Sequence, residues 1–195
     1  MNAKTLPFDD SIEAETWHVP LFIRGRLTLQ RVLSGMGGWK LDPKDVPLII
    51  RLVENPKYDI GLFGGATTLG THDCLHVLLG RGLLPKDEAF VIGYTMGSTK
   101  NLPRWRKNLF LFFTKYLYPE GYKFKEEERF VFNMGAMAGS LCSTDLSGVN
   151  FDAFTNNTLF SLRKELNIDV NLLRYCYEVE KRVFKDSKES QRLLN

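Results

Sequence analysis

The sequence predicts an all-α protein, and two features of the chain lead to that prediction. Apolar residues recur at helical spacing in successive segments, which begin or end at glycine, proline or a capping side chain. No internal repeat, low-complexity tract or Pro/Ser linker divides the chain. With 195 residues, 44% of them hydrophobic and 25% charged, it can bury a core. We therefore expect a single compact multi-helix domain over 1–195, with its core at about 20–185.

The N-terminal part of the chain contains two predicted helices. Loosely helical spacing of apolar residues predicts the first over 21–33, ending at the glycine cluster 35–38. Asp42 as N-cap with Pro43 at the first helical position predicts the start of the second. The segment 61–70 is rich in small residues, which suits either tight packing or a substrate path. It leads directly into the third predicted helix.

The remaining predicted helices follow from aromatic content, acidic first turns and capping residues. The segment 105–118 is the most aromatic in the chain, and three glutamates at 126–128 place negative charge at the start of the next helix. A helix is expected over 150–166, and Asp169 is the predicted N-cap of the last one. The polar tail after Lys185 is expected to fray.

The third predicted helix contains the motif that points to function. It holds two of the three histidines, His72 and His76, which at i and i+4 share one helix face. Asp73 is three residues before His76 and is expected on the same side. Cys74 points to another side and is read as a small buried hydrophobe. The alternative interpretation of such a pair is structural: one histidine has its hydrogen bonds satisfied within the fold, and the other is simply its neighbour on the helix.

A turn and a second helix are predicted to add a further carboxylate. Gly80 and Gly82 allow the chain to reverse, and Pro85 suits the first position of a new helix. Glu88 then falls in the first turn of that helix and can face back toward the histidines. Two imidazoles with one or two carboxylates suit zinc, ferrous iron or manganese. We expect one divalent ion, zinc first, with iron, manganese and magnesium as the alternatives.

The string His72-Asp73-x-x-His76-x11-Glu88 resembles the signature of the coenzyme Q (ubiquinone) biosynthesis protein four family. A weaker similarity to the C-terminal helix of that family lies at 159–168. The resemblance implies a mostly helical protein that binds a divalent metal through these four side chains at a membrane face. The N-terminal residues lack the transit peptide of mitochondrial members and indicate a bacterial one. It also implies oxidative decarboxylation at ring carbon one of the prenylated quinone precursor, or a scaffold for other quinone-biosynthesis enzymes.

Two segments are predicted to contact an isoprenoid lipid. The aromatic helix has a wide apolar face with a basic edge, as in helices that lie on an anionic membrane or line a lipid tunnel. The small residues at 134–140 allow a prenyl chain or another helix to approach the backbone. The predicted lipid-binding residues are Trp105, Leu109, Phe112, Phe113, Tyr116, Met134, Gly135, Met137 and Gly139. An ordinary buried helix and plain helix packing are the alternatives.

Several alternatives for mechanism stay open at this point. Asp73 is either a fourth metal ligand or a neighbouring proton acceptor, and the protein is either an enzyme or a non-catalytic lipid carrier. An HD-type phosphohydrolase would use His18, His72 with Asp73, and Asp145, but it leaves His76 and Glu88 unexplained. Three widely spaced cysteines indicate neither a disulfide framework nor a thiolate zinc site.

Composition and the N-terminal segment give expectations for partners and location. A net charge of +3 is too small to indicate nucleic acid binding. The first residues include early acidic side chains and no apolar core, so they predict neither a signal nor a transit peptide. We expect a cytoplasmic protein, peripheral on the inner face of the plasma membrane, that binds a prenylated quinone precursor. A homodimer is a further expectation.

Overall fold

A computed structural model describes residues 17–22, 27–35, 69–100, 102–116 and 123–194. These residues form eight α-helices and no β-strand, which confirms the predicted all-α class. The helices are α1 (Leu29–Ser34), α2 (Leu69–Leu79), α3 (Pro85–Ser98), α4 (Arg104–Tyr116), α5 (Glu126–Ser140), α6 (Leu159–Glu165), α7 (Val170–Val183) and α8 (Lys188–Gln191). Two short 3-10 helices, Leu146–Gly148 and Phe151–Phe154, lie between α5 and α6.

Helices α3 and α5 cross at very close range because glycines line their contact. Each helix contributes two glycines four residues apart: Gly93, Gly97, Gly135 and Gly139. A Cβ atom on Gly135 would lie 2.5 Å from the carbonyl oxygen of Phe90, and one on Gly139 would lie 2.8 Å from the carbonyl carbon of Tyr94. Real Cβ contacts are longer than this, so the two backbones touch. Of the two uses that the sequence allows for Gly135 and Gly139, the structure shows helix packing.

Aromatic rings attach the neighbouring helices to this pair. Phe110 of α4 stacks on Phe132 of α5 with ring centroids 5.4 Å apart, and Phe124 packs edge-on against Phe110 at 6.2 Å. Phe90 of α3 meets Tyr177 of α7 in an edge-to-face contact at 5.2 Å. All five rings are buried. Such pairs hold helices at fixed angles as well as burying apolar area.

The first predicted helix is shorter than expected, and the second cannot be compared. Within the described residues, Leu21 lies in a turn and α1 begins only at Leu29. The Thr28 side chain accepts a hydrogen bond from the Arg31 backbone N–H, which places the N-cap there. Leu21 is buried all the same, because tertiary contacts cover it. The predicted helix after Asp42, and most of 61–70, lie outside the described residues.

The C-terminal third departs from the prediction in two places. The expected helix over 150–166 is divided, because the Thr158 side chain caps Ser161 and begins a new helix after the 3-10 turn. Asp169 caps α7 as predicted, accepting from the N–H groups of two residues in the first turn. The expectation that the tail frays is wrong. α8 follows α7, and Leu193 is buried because the tail packs against α7 and α3.

Candidate metal centre

The end of α2 fixes the position of the histidines that the helix bears. Gly80 adopts a left-handed φ of +70°, and a Cβ there would also lie 2.9 Å from the Leu21 Cα. The Tyr177 hydroxyl donates to the carbonyl of Leu79. Carbonyl groups left over at a helix C-terminus need such donors. The last turn of α2, which includes His76, is therefore anchored to α7.

Arg163 of α6 supplies further donors to the same helix end. Its Nε donates to the Leu78 carbonyl and its Nη1 to the Leu21 carbonyl, both at 2.7 Å. Burial lowers the pKa of Arg163 to about 10. The guanidinium therefore stays protonated at neutral pH, and its charge lies where the helix dipole is negative. The sequence gives no sign of this contact, which joins residues far apart in the chain.

The start of α3 brings in Glu88. Pro85 occupies the first turn as predicted, and the Asp87 carboxylate accepts from the Leu84 backbone N–H at 3.1 Å. Glu88 follows in the same turn, where negative charge is favoured by the helix dipole. The five-residue turn between α2 and α3 returns the chain so that Glu88 faces His72 and His76.

Three predicted ligands meet with short distances between their donor atoms. The Nε2 atoms of His72 and His76 are 3.0 Å apart. The carboxylate of Glu88 lies 2.9 Å from His72 Nε2 through one oxygen and 3.2 Å from His76 Nε2 through the other. Tetrahedral zinc with bonds of about 2.0–2.1 Å holds its ligand atoms about 3.3 Å apart. The group of His72, His76 and Glu88 could therefore hold a metal ion.

The hydrogen bond of His76 decides which of its nitrogens faces the group. Its Nδ1 lies 2.6 Å from the carbonyl oxygen of Gly82, so Nδ1 carries the proton and donates. In the neutral ring, Nε2 then carries a lone pair and points at an oxygen of Glu88, which is also an acceptor. Two acceptors at 3.2 Å repel unless a cation or a proton lies between them. Metal-binding histidines commonly use this backbone-carbonyl arrangement.

The group is closed on one side and open on the other. His76 is fully buried, whereas the side chains of His72 and Glu88 are 20% and 35% exposed. Burial acts to raise the pKa of the Glu88 carboxyl, but His76 and His72 outweigh it and hold that pKa below its usual range. Glu88 is therefore ionised and available as a ligand at neutral pH.

Asp73 is not among the residues whose donor atoms converge here. It lines a neighbouring cleft of about 490 Å³ with Thr71 and Cys74 of α2 and residues 147–152. Asp73 follows His72 directly in α2, so its side chain leaves the helix about 100° around the axis from that of His72. Its assignment as ligand or proton acceptor stays a prediction. Neither His18 nor Asp145, the residues of the HD-type alternative, belongs to the converging group.

The predicted lipid-binding residues lie on α4 and α5, and they differ in how exposed they are. Three of the aromatic side chains on α4 are exposed: Trp105, Phe112 and Tyr116. Phe110 makes the core contact of this helix, Leu109 is partly buried, and the side chain of Phe113 lies outside the described part. On α5, Met137 is exposed and Met134 is buried. The α5 glycines lie against the backbone of α3, and a lipid-binding role for any of these residues stays a prediction.

Comparison with protein family models, curated proteins and solved structures gives no match. The resemblance to the coenzyme Q biosynthesis protein four family therefore depends on the motif alone and stays a prediction. Across the described parts of the chain, none of the helices is both long and apolar enough to cross a bilayer.

Proposed function

We propose that this protein is a metal-dependent enzyme of prenylquinone biosynthesis, with one divalent ion held by His72, His76 and Glu88. The observation that carries the metal assignment is the orientation of His76. Its Nδ1 is engaged by the Gly82 carbonyl, so Nε2 faces Glu88 as a second acceptor. Zinc is the proposed ion, because two imidazoles and a carboxylate with an open position are a common catalytic zinc set. Iron, manganese and magnesium are the alternatives.

The proposed substrate is a prenylated aromatic acid, and the proposed reaction replaces its ring carboxyl group by a hydroxyl. The carboxyl leaves as CO2, water supplies the hydroxyl oxygen, and dioxygen is the two-electron oxidant that is reduced to hydrogen peroxide. A bound ion would polarise the carboxylate or phenolic oxygen of the substrate. The exposed edge formed by His72 and Glu88 supports substrate access from that side. Asp73 is proposed to accept a proton from the substrate.

The exposed aromatic face of α4 supports a lipid or membrane surface as the source of that substrate. Phe112 and Tyr116 lie side by side with ring centroids 5.0 Å apart, and both are exposed. Lys115 lies 5.2 Å from the Tyr116 ring, and Arg106 lies 5.4 Å from that of Trp105. Aromatic rings beside cationic side chains suit the boundary between anionic headgroups and acyl chains.

Metal titration of the chelator-treated protein tests the metal assignment. We expect calorimetry with Zn²⁺ to show one site in the wild type and none in His76→Ala or Glu88→Gln. Asp145→Asn is the matched control, because the HD-type alternative requires that carboxylate and our proposal does not. Loss of metal in Asp145→Asn with retention in Glu88→Gln would reverse the assignment.

Incubation of the metal-loaded protein with a prenylated aromatic acid under oxygen tests the reaction. Mass spectrometry should detect a product that has lost CO2 and gained an oxygen atom, and Glu88→Gln should form none. Metal-dependent binding of the acid without conversion would support the carrier or scaffold function instead.

A further inference from the structure

The C-terminal segment after α7 is held in place by specific hydrogen bonds. Lys181 Nζ donates to the Leu193 carbonyl at 2.7 Å, and the Gln191 amide donates to the Lys181 carbonyl at 2.8 Å. The buried Ser190 hydroxyl donates to Glu180 at 3.0 Å. These bonds fix the residues on either side of Arg192, so the direction of its side chain is set by the fold.

Arg192 reaches the start of the helix that bears Glu88. Its guanidinium donates to the Asp87 carboxylate, which is fully buried. The same oxygen of Asp87 accepts from the Leu84 N–H at 3.1 Å and so caps α3. Glu88 is the next residue. A movement of Asp87 would therefore move the Glu88 carboxylate relative to the histidines.

Arg192 also contacts the turn that orients His76. A Cβ atom on Gly82 would lie 2.8 Å from the guanidinium carbon of Arg192 and 2.5 Å from the carbonyl oxygen of Trp17. The Gly82 backbone is thus enclosed between Arg192 and the segment 17–22. Its carbonyl is the acceptor for His76 Nδ1. Arg192 therefore contacts Asp87, which holds Glu88 in place, and Gly82, which orients His76. The two proposed ligands lie on different helices.

The charge of Arg192 cannot be replaced by its buried neighbour. Arg81 Nη1 lies 3.8 Å from Asp87, but both terminal nitrogens of Arg81 donate to Glu180, at 2.7 and 3.2 Å. Without Arg192, the cation that remains near the buried Asp87 carboxylate among the described residues is Arg81, at 3.8 Å. A buried carboxylate left in this state moves toward another hydrogen-bond donor.

We propose that Arg192 is a positioning residue for the metal centre, which fixes the Glu88 carboxylate through Asp87 and the His76 ring through Gly82. The proposal rests on the proposed metal site. Because Arg192 lies outside the His72–Glu88 motif, it adds a second region of the chain to that site. Residues that orient metal ligands typically change metal affinity by about 10- to 100-fold when they are removed.

Zinc titration of Arg192→Met and Arg192→Lys tests the proposal. Methionine keeps much of the apolar stem and removes the charge, so we expect the Kd for Zn²⁺ to rise by about 10-fold or more. Lysine restores one cation but not the planar guanidinium, and an intermediate Kd is expected. Arg192→Met with the Kd of wild type would overturn the proposal.

Two controls separate positioning from general loss of stability. Leu166→Ala removes a buried side chain on another part of the fold and should lower the unfolding midpoint while leaving the Kd for Zn²⁺ unchanged. Arg174→Met removes an exposed arginine that lies 3.7 Å from Glu178, and should change neither quantity. If Leu166→Ala weakens zinc binding as much as Arg192→Met does, the effect is one of stability and the proposal fails.

A measurement on the metal-free protein distinguishes failure of this inference from failure of the metal assignment. Nitrogen-15 NMR of the imidazole rings reports which nitrogen of His76 carries the proton. We expect a protonated Nδ1 in the wild type and a mixture of tautomers in Arg192→Met. Wild-type protein that binds no metal but shows this change would contradict only the metal assignment. An unchanged His76 signal together with an unchanged Kd would contradict only the positioning role.

Discussion

Arg81 and Glu180 form a bidentate ion pair in which neither side chain is exposed to solvent. The guanidinium is also enclosed between two rings, with its central carbon 4.1 Å from the Phe90 centroid and 4.2 Å from that of Tyr177. Arg81 belongs to the turn between α2 and α3, and Glu180 belongs to α7. The pair therefore ties the turn between α2 and α3 to α7.

Removal of Glu180 is expected to destabilise the fold strongly. Glu180→Ala leaves the Arg81 charge buried without its partner, which should lower the free energy of unfolding by about 3–5 kcal/mol. Urea denaturation measures this change. Glu178→Ala is the control, because the Arg174–Glu178 pair on the same helix is exposed, and such pairs contribute below about 1 kcal/mol. Equal losses in the two variants would contradict the argument from burial.

The glycine contact between α3 and α5 gives a second prediction. In Gly139→Ala, the new methyl group meets the Tyr94 carbonyl, so the helices must separate. We expect the free energy of unfolding to fall by about 1–3 kcal/mol or more, as in other overpacked sites. Gly148→Ala is the matched control, since among the described residues no atom other than those of its chain neighbours lies within 4 Å of a Cβ there. Thermal denaturation in which Gly139→Ala matches the wild type would show that the helices are not held this closely.

The parts of the fold that could be predicted from the sequence depend on neighbouring residues. Asp169 marks the start of α7 because a capping side chain acts on the N–H groups two and three residues later. His72, His76 and Glu88 follow from helix periodicity and one short turn. Each of these relationships is contained within about twenty residues, so the pattern of residue types is enough to indicate them.

The hydrogen bonds that hold the candidate site in place could not be predicted, because they join segments that are far apart in the sequence. Arg163 donates to the carbonyls of Leu78 and Leu21, and Arg192 donates to Asp87. In the sequence these arginines resemble ordinary surface charges. The tail that holds Arg192 is polar, and its burial depends on the position of α7 and α3. Periodicity therefore indicated the three converging side chains and gave no information on what fixes them.

The Glu88 carboxylate gives a prediction for pH dependence in the metal-free protein. Although burial opposes it, His76 and His72 lower the pKa of Glu88 in the folded state when their rings are protonated. A carboxyl with a lowered pKa stabilises the fold above its ordinary pKa and loses that contribution as the pH falls. In chelator, we expect the stability difference between wild type and Glu88→Gln to shrink as the pH falls below about 5. Urea denaturation across this range would contradict us if the difference stayed constant.

The exposed aromatic face of α4 gives the last prediction, on membrane binding. Phe112 is 51% exposed and lies near Lys115 on the same helix. If this face enters the headgroup region of an anionic bilayer, Phe112→Asp removes an inserted ring and adds a repelled charge. Fully burying a phenylalanine side chain contributes about 1.5–3 kcal/mol, so vesicle affinity should fall by about 10-fold or more. Co-sedimentation with anionic phospholipid vesicles measures this. Phe160→Asp is the matched control, because Phe160 is also exposed but lies on α6. Equal binding by the two variants would show that the α4 face does not contact the bilayer, and the proposed lipid-borne substrate would lose its structural support.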